Sequence, residues 1–511
     1  MTETDLTAVL KTPDALEIRA RKGYWATKTG RFRLYEDGAE VAKLKPLADS
    51  EAAGWLVFDV PVSWHFVPGR AYEIADAKNE FVPLALTVLA TTPEFDRAYR
   101  YDGPLGASYA PDQTVFRLFS PLAVEFCVRL RKPGAKDFAV YPMNRLDCGV
   151  FESAPAGDWE RAAYYYEGRI NGQTVRAVDP YALAANANSR YGYVIDPRKA
   201  VAESLNRERL PTFTSPSQAM IYELDVRDLT SRLDLLDKGT FNALARPGLT
   251  YGPDGFPAGL DYVKGLGFTH VQLLPVLDFQ TVDDNDPAGS YNWGYDPLLY
   301  FVPEGSYSSA PDDPYARILE LRHLVSVFHQ NGIRVNFDVV YNHVFDRATN
   351  PLEILCPGYY FRLNADGSYS NGSFCGNDLE SRHYMCGRLI RDSLAHVVAF
   401  FGADGFRFDL MAIIDKDTLL KAQAELTGKV KGLMFYGEGW DMPTALPPAD
   451  KSALANAFSL PAVGFFADRF RDSAQGGTSA ERLAERGYVT GAADKLEDFK
   501  RSLIHISPCR R

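Results

Sequence analysis

Three textures of apolar and polar positions follow one another along the chain. Between about Ala15 and Thr92, short alternating segments (LEIRARKGYW, RFRLYEDG, GWLVFDVPV) are broken by Gly, Pro and Asp. Period-two alternation over such short runs predicts a small β-sandwich. A second β-rich block runs from about Tyr101 to Asp196 through TVFRLFSP, AVEFCVRLRKP, AAYYYEGRING and YGYVIDP, with no helical pattern to interrupt it. Its Asn171-Gly172 pair predicts a two-residue hairpin turn. After the Pro-containing stretch Leu210 to Pro216, strand-like apolar runs alternate with amphipathic helices: MIYELDVRD, a helix near Gly259 to Leu266, HVQLLPV, YARILELRHLVSVFHQNG and IRVNFDVVYNH. That alternation predicts parallel βαβ units, and polar residues at the carboxyl ends of the strands place the work of a (β/α)8 barrel there.

Two blocks carry charges that packing does not explain, GFRFDLM from Gly405 and FYGEGWD from Phe435. A strand covered by helices on both faces should read as a continuous apolar run. Side chains alternate across a strand, so Arg407 and Asp409 share one face while Phe406, Phe408 and Leu410 take the other. The same parity groups Tyr436, Glu438 and Trp440. A guanidinium beside Asp409 favours its ionised form, and an aromatic setting raises the pKa of Glu438. One carboxylate kept charged and one kept protonated is the pairing a retaining glycosidase uses.

Composition narrows the alternatives. The 511 residues exceed one ordinary core, so several domains are expected. Against 55 Lys and Arg stand 66 Asp and Glu, a net charge of -11, with no basic tract for nucleic acid or an anionic membrane. The start MTETDLTAVLKTPD lacks the basic and apolar regions of a signal peptide, and no long apolar run follows, so a cytoplasmic, monomeric protein is expected. Cys127, Cys148, Cys356, Cys375, Cys386 and Cys509 have no metal-like spacing and read as buried thiols without disulfides. His270, His323, His329 and His396 read as structural. Trp159 and the run Tyr164 to Tyr166 fit a glycan platform and a sandwich core equally well.

DVVYNH from Asp338, GFRFDLM and YGEGWD resemble three signature regions of glycoside hydrolase family 13, the α-amylase clan, in the right order. YNWGYDP from Tyr291 resembles the signature of its type I pullulanases, which cut α-1,6 branch points, and VQLLPVLDF and CGNDLESR fit the same subfamily. The block from Tyr101 resembles a carbohydrate-binding module of family 48. The resemblance implies a multidomain chain: an N-terminal β domain over 1–95, a β-sandwich module over 96–205, and a (β/α)8 TIM-type barrel over 206–501. It implies Asp409 as nucleophile and Glu438 as acid and base. Substrate contacts would come from Arg407, His343, Tyr295, Asp338, Trp293 and Trp440, with Asp338 bracing the site and Tyr295 stacking on the sugar. An α-glucan is the expected partner. No cofactor or metal is expected, although the Asn342 position binds calcium in some relatives.

The chain departs from the family in one respect. The third carboxylate, carried by a His-Asp-Asn-like block on the seventh strand, has no counterpart, since none of the 8 His is followed by Asp. AVGFFADRF from Ala462 is the expected sixth strand, with no sequence left for the last two. The barrel is therefore expected to be incomplete at its C-terminal end, with an exposed strand edge, poor solubility and little activity. Ser502 to Arg511, SLIHISPCRR, resembles a translated sequencing adapter and is expected to be non-native. Three functions stay open: branch hydrolysis in pullulan, glycogen or limit dextrins; another α-glucan hydrolase of the isoamylase or neopullulanase type; and an inactive fragment that only binds α-glucans.

Overall fold

The computed structural model describes residues 5–24, 31–478 and 480–504. Its first eight strands lie between Leu6–Thr12 and Phe81–Ala85 and form one continuous hydrogen-bonded path. The path folds back on itself, because Phe32 and Phe58, from strands well apart in the sheet order, bring their rings to 5.2 Å. Leu16, Ile18, Leu34 and Ile74 are wholly buried between its layers. The expected sandwich starts too late by one strand: Leu6–Thr12 pairs with Ala15–Arg21 and joins the two halves through a parallel contact at Ala8 and Val9.

A four-stranded and a five-stranded sheet follow, spanning Gly106–Ala110 to Gly192–Tyr193. Their inner faces meet through Phe126 on Phe151, at 5.3 Å, and Phe116 on Tyr164, at 5.0 Å. Trp159 and Tyr164 to Tyr166 are buried, so they are core and not an exposed platform. Tyr164 and Tyr166 both donate their hydroxyls to Asp179, at 2.9 and 3.2 Å. Asn171 and Gly172 turn the hairpin with φ of 50° and 74°, between the paired Ile170 and Gln173, as the Asn-Gly signal predicts.

The third unit is a sheet of six parallel strands in sequence order: β1 (Ile221–Leu224), β2 (His270–Leu273), β3 (Arg334–Val339), β4 (Gly405–Phe408), β5 (Met434–Gly437) and β6 (Val463–Phe465). Between the first five strands run α1 (Gly259–Gly265), α2 (Ala316–Gln330), α3 (Tyr384–His396) and α4 (Lys416–Thr427). Local sequence sets their ends. Asp415 caps α4 by accepting the Thr418 N–H at 2.9 Å, and α2 stops at Asn331 and Gly332, whose φ of 75° a side chain would strain. Strands β2, β4 and β5 are buried at every position, as covered parallel strands must be.

β6 lies within AVGFFADRF and pairs with β5, as expected. Beyond it, helices Asp468–Ala474 and Leu496–Ile504 pack on each other, with Phe470 and Phe499 rings 5.7 Å apart. Among the described residues no seventh parallel strand follows, and β1 and β6 do not pair. Residues 505–511 of the expected non-native tail, Cys509 among them, lie outside the described residues.

The modules are joined by buried polar contacts. Arg317 of α2, 2% exposed, reaches Asp278 at 3.2 Å, Asp284 at 2.7 Å and the carbonyl of Asn186 at 2.8 Å. The cysteines need a correction: among the described residues only Cys356 and Cys386 are buried, Cys127 and Cys148 are half-buried and Cys375 is exposed. His270, His329 and His396 are buried with protein partners, and His323 pairs with Glu203. No helix among the described residues is long and apolar enough to cross a membrane.

Candidate active site

The site forms where β3, β4 and β5 end. The ladder runs one residue past the strands, with the Asp409 N–H on the Val339 carbonyl and the Glu438 N–H on the Phe408 carbonyl, both at 3.1 Å. This staggers Asp338, Arg407, Asp409 and Glu438 around one point. Leu410 then turns sharply away with φ 39° and ψ 48°, a strained left-handed backbone for a branched side chain. Its side chain joins Ala412, Ile413, Met442 and Ala453, not the row of Phe406 and Phe408 that strand parity predicts.

Arg407 is the hub. Its Nη1 donates to Asp338 Oδ1 at 2.9 Å, Asp338 Oδ2 at 3.1 Å and Asp409 Oδ1 at 3.0 Å, and its Nη2 donates to Glu438 Oε1. Glu438 Oε2 accepts the Leu410 N–H at 3.1 Å, and Tyr295 donates its hydroxyl to Asp338 Oδ2 at 2.8 Å. The expected pairing of Arg407 with Asp409 is present. Its simultaneous grip on Asp338 and Glu438 goes further than parity reaches.

The three carboxyls face one guanidinium in a largely dry site, with side chains 0% (Asp338), 13% (Asp409) and 12% (Glu438) exposed. Burial raises the Glu438 pKa, with Arg407 opposing and the Asp409 charge adding to the rise. Burial likewise pushes Asp338 up to about 8 against the pull of Arg407. Desolvation works against the Arg407 charge, but its carboxylate neighbours prevail and raise its pKa.

Sequence reasoning passed over Gln272 and Phe466, and named Asn342 only as a calcium position of some relatives. Asn342 donates its amide to Asp409 Oδ2 at 2.8 Å and to the Asp409 carbonyl at 2.9 Å. Gln272 of β2 accepts the Tyr436 hydroxyl at 2.7 Å below the site. Phe466, just past β6, stands 5.8 Å from the Arg407 guanidinium. Gln272 breaks the apolar run HVQLLPV just as Arg407 breaks its own, so the same test would have found it; Phe466 carries no such signal.

His343 is buried, its Nδ1 against the Asn342 Oδ1 and its Nε2 3.0 Å from the Tyr295 carbonyl. Burial lowers its pKa. Trp293 and Trp440, 58% and 37% exposed, make no hydrogen bond to the Arg407 cluster. Trp440 lies three residues past the end of β5 at Gly437. Trp293 lines an open hollow with Tyr291, Asn292 and Tyr295. Among the described residues no group of three or more His, Cys, Asp or Glu side chains is arranged to hold a metal ion.

Comparison with known proteins agrees with this architecture. Residues 104–182 match carbohydrate-binding module 48, the isoamylase N-terminal domain. The chain is 38% identical to the pullulanase of Bacillus subtilis (strain 168) over 443 residues, covering 86% of this chain and 60% of that protein. It is 32% identical to chloroplastic pullulanase 1 of Arabidopsis thaliana, covering 92% of this chain and 55% of that one. The chain thus spans little more than half the length of these curated relatives. The crystal structure of the pullulanase of Anoxybacillus sp. LM18-11 complexed with maltotriose superposes with a TM-score of 0.89 at 37% identity, over 98% of this chain and 72% of that one. With its signature residues assembled around Arg407 and its fold shared over nearly its whole length, the chain belongs to the pullulanases of glycoside hydrolase family 13.

Proposed function

We propose that the Arg407 cluster is the catalytic centre of a retaining glycoside hydrolase that cleaves α-1,6 branch linkages in pullulan, glycogen or limit dextrins. The observation that carries this reading is that one guanidinium bonds Asp409 through one terminal nitrogen and Glu438 through the other. Two carboxyls on one fork stand within a few ångströms of each other, which fits the spacing of about 5–5.5 Å that retention requires. Asp409, held by Arg407 and Asn342, attacks the anomeric carbon as the carboxylate. Glu438, whose proton affinity burial raises, gives its proton to the departing glycosidic oxygen. The glycosyl-Asp409 ester is then hydrolysed by a water whose proton returns to Glu438. Asp338 holds Arg407 and Tyr295 in place, while Tyr295, Trp293 and Trp440 offer rings to the glucan.

The six parallel strands are, in this reading, the first six of a (β/α)8 barrel. A second reading is glucan binding without turnover, favoured by a sheet whose β6 edge pairs with no further strand among the described residues. Release of reducing ends from pullulan, compared between wild type and Asp409→Asn, decides between them. Release lost by at least about a thousandfold in the variant supports hydrolysis. Binding of pullulan without release supports the second reading, and neither binding nor release refutes both.

A further inference from the structure

The loop from Ser370 to Leu379 is held at both ends more firmly than a surface loop needs. Asp378, wholly buried, accepts the Ser370 hydroxyl at 2.5 Å, the N–H groups of Gly372 and Ser373 at 2.8 and 2.9 Å, and the Thr444 hydroxyl of the loop after β5 at 2.7 Å. Asn377 exchanges two hydrogen bonds with the main chain of Val344, at 3.0 and 2.8 Å, and the Leu379 N–H reaches the Asn342 carbonyl at 2.9 Å. The loop is thereby stapled to the chain on either side of His343 and to the segment that follows Glu438.

At its tip the design reverses. Phe374 leaves its side chain 73% exposed, on a backbone with φ +63° that favours glycine. Nothing in the packing rewards a phenyl ring there, and a strained, apolar, exposed residue on a rigid support is the kind of outlier from which function is inferred. The anchors place the loop beside the site: Asn342 and Val344 flank His343, and Asn342 itself donates its amide to Asp409 Oδ2 at 2.8 Å.

We propose that Phe374 is a specificity-determining residue, whose ring stacks on a glucosyl unit of the α-glucan at the mouth of the Arg407 site. The apolar C–H face of a pyranose suits such a ring, and the staple fixes the ring before substrate arrives. This inference rests on the reading of the site given above.

Maltotriose binding to the full chain, measured by calorimetry beside thermal unfolding, tests it with Phe374→Gly, Phe374→Tyr and Tyr295→Ala. Glycine relieves the backbone strain while deleting the ring, so a purely structural role and a binding role move the two readouts differently. Phe374→Gly is expected to bind maltotriose roughly three- to tenfold more weakly, with an unfolding temperature no lower than wild type, and Phe374→Tyr within about twofold of wild type. Wild-type affinity in Phe374→Gly, or weakening that tracks a fall in unfolding temperature, overturns the role of Phe374 alone. Wild-type binding that Tyr295→Ala leaves unchanged, or no binding at all, overturns the glucan reading of the site and this inference with it.

Discussion

Asn342 holds Asp409 twice, through the carboxylate at 2.8 Å and through the main-chain carbonyl at 2.9 Å. Both bonds use the same amide nitrogen, which leaves the Asn342 oxygen to face His343 Nδ1. Asn342, three residues past β3, thus holds Asp409, the residue after β4, and shares with Arg407 the task of satisfying its oxygens. A single substitution at Asn342 disturbs three groups at once.

Asn342→Ala leaves Asp409 Oδ2 and His343 Nδ1 without their partner in a buried site. A loss of about 1–3 kcal/mol in urea unfolding is expected, the usual cost of orphaned buried polar groups. Asn342→Asp sets a second carboxylate against Asp409 and is expected to destabilise more. An unfolding midpoint unchanged in both variants contradicts this account.

Arg407 donates hydrogen bonds to three largely buried carboxyls, so its removal leaves their oxygens without that partner. Arg407→Met is expected to cost about 3–5 kcal/mol, read from urea unfolding. Arg407→Lys keeps the charge but not the fork and cannot serve Asp338, Asp409 and Glu438 together. An intermediate loss, with maltotriose binding weakened, is the expected result.

Asp338 gives the chain a pH signature. Its folded pKa, about 8, lies above the ordinary carboxyl value of 3.8, so the native state holds a proton that the unfolded chain has released. The stability this confers is complete below about pH 4 and is lost as pH rises through about 8. The unfolding temperature of wild type relative to Asp338→Asn should therefore fall between those limits. A difference that stays flat, or rises with pH, counts against the assignment.

In the family 48 module, Asp179 is the acceptor for two buried hydroxyls, those of Tyr164 and Tyr166. Burial raises its pKa to about 6, with the two hydroxyls and the Tyr181 N–H opposing. Asp179→Ala orphans both tyrosines, for which about 2–5 kcal/mol of destabilisation is expected in denaturant. Tyr164→Phe removes one donor and should cost less.

Much of this was legible from local pattern. The six parallel strands followed from apolar runs alternating with helices, the Asn171-Gly172 turn from its two residue types, and the Arg407–Asp409 contact from two-residue parity, because each depends only on neighbours in sequence. Where backbone geometry departs from an ideal strand, parity failed. Leu410 leaves its row because φ is 39°. Cys375, read as a buried thiol, is exposed at the tip of a stapled loop, since burial depends on which segments meet and not on residue type.

The chain's sequence by itself determined which residue types stand at the strand ends: Asp338, Asn342, His343, Arg407, Asp409 and Glu438. Only the tertiary structure decided that Arg407 would serve Asp338, 69 residues away, and Glu438, 31 residues away, with the same guanidinium. Parallel pairing of β3, β4 and β5 sets that register, and the low dielectric it creates is what raises the Glu438 and Asp338 pKa values. Proton affinity at a buried site is a property of everything packed around it, and no stretch of sequence contains that.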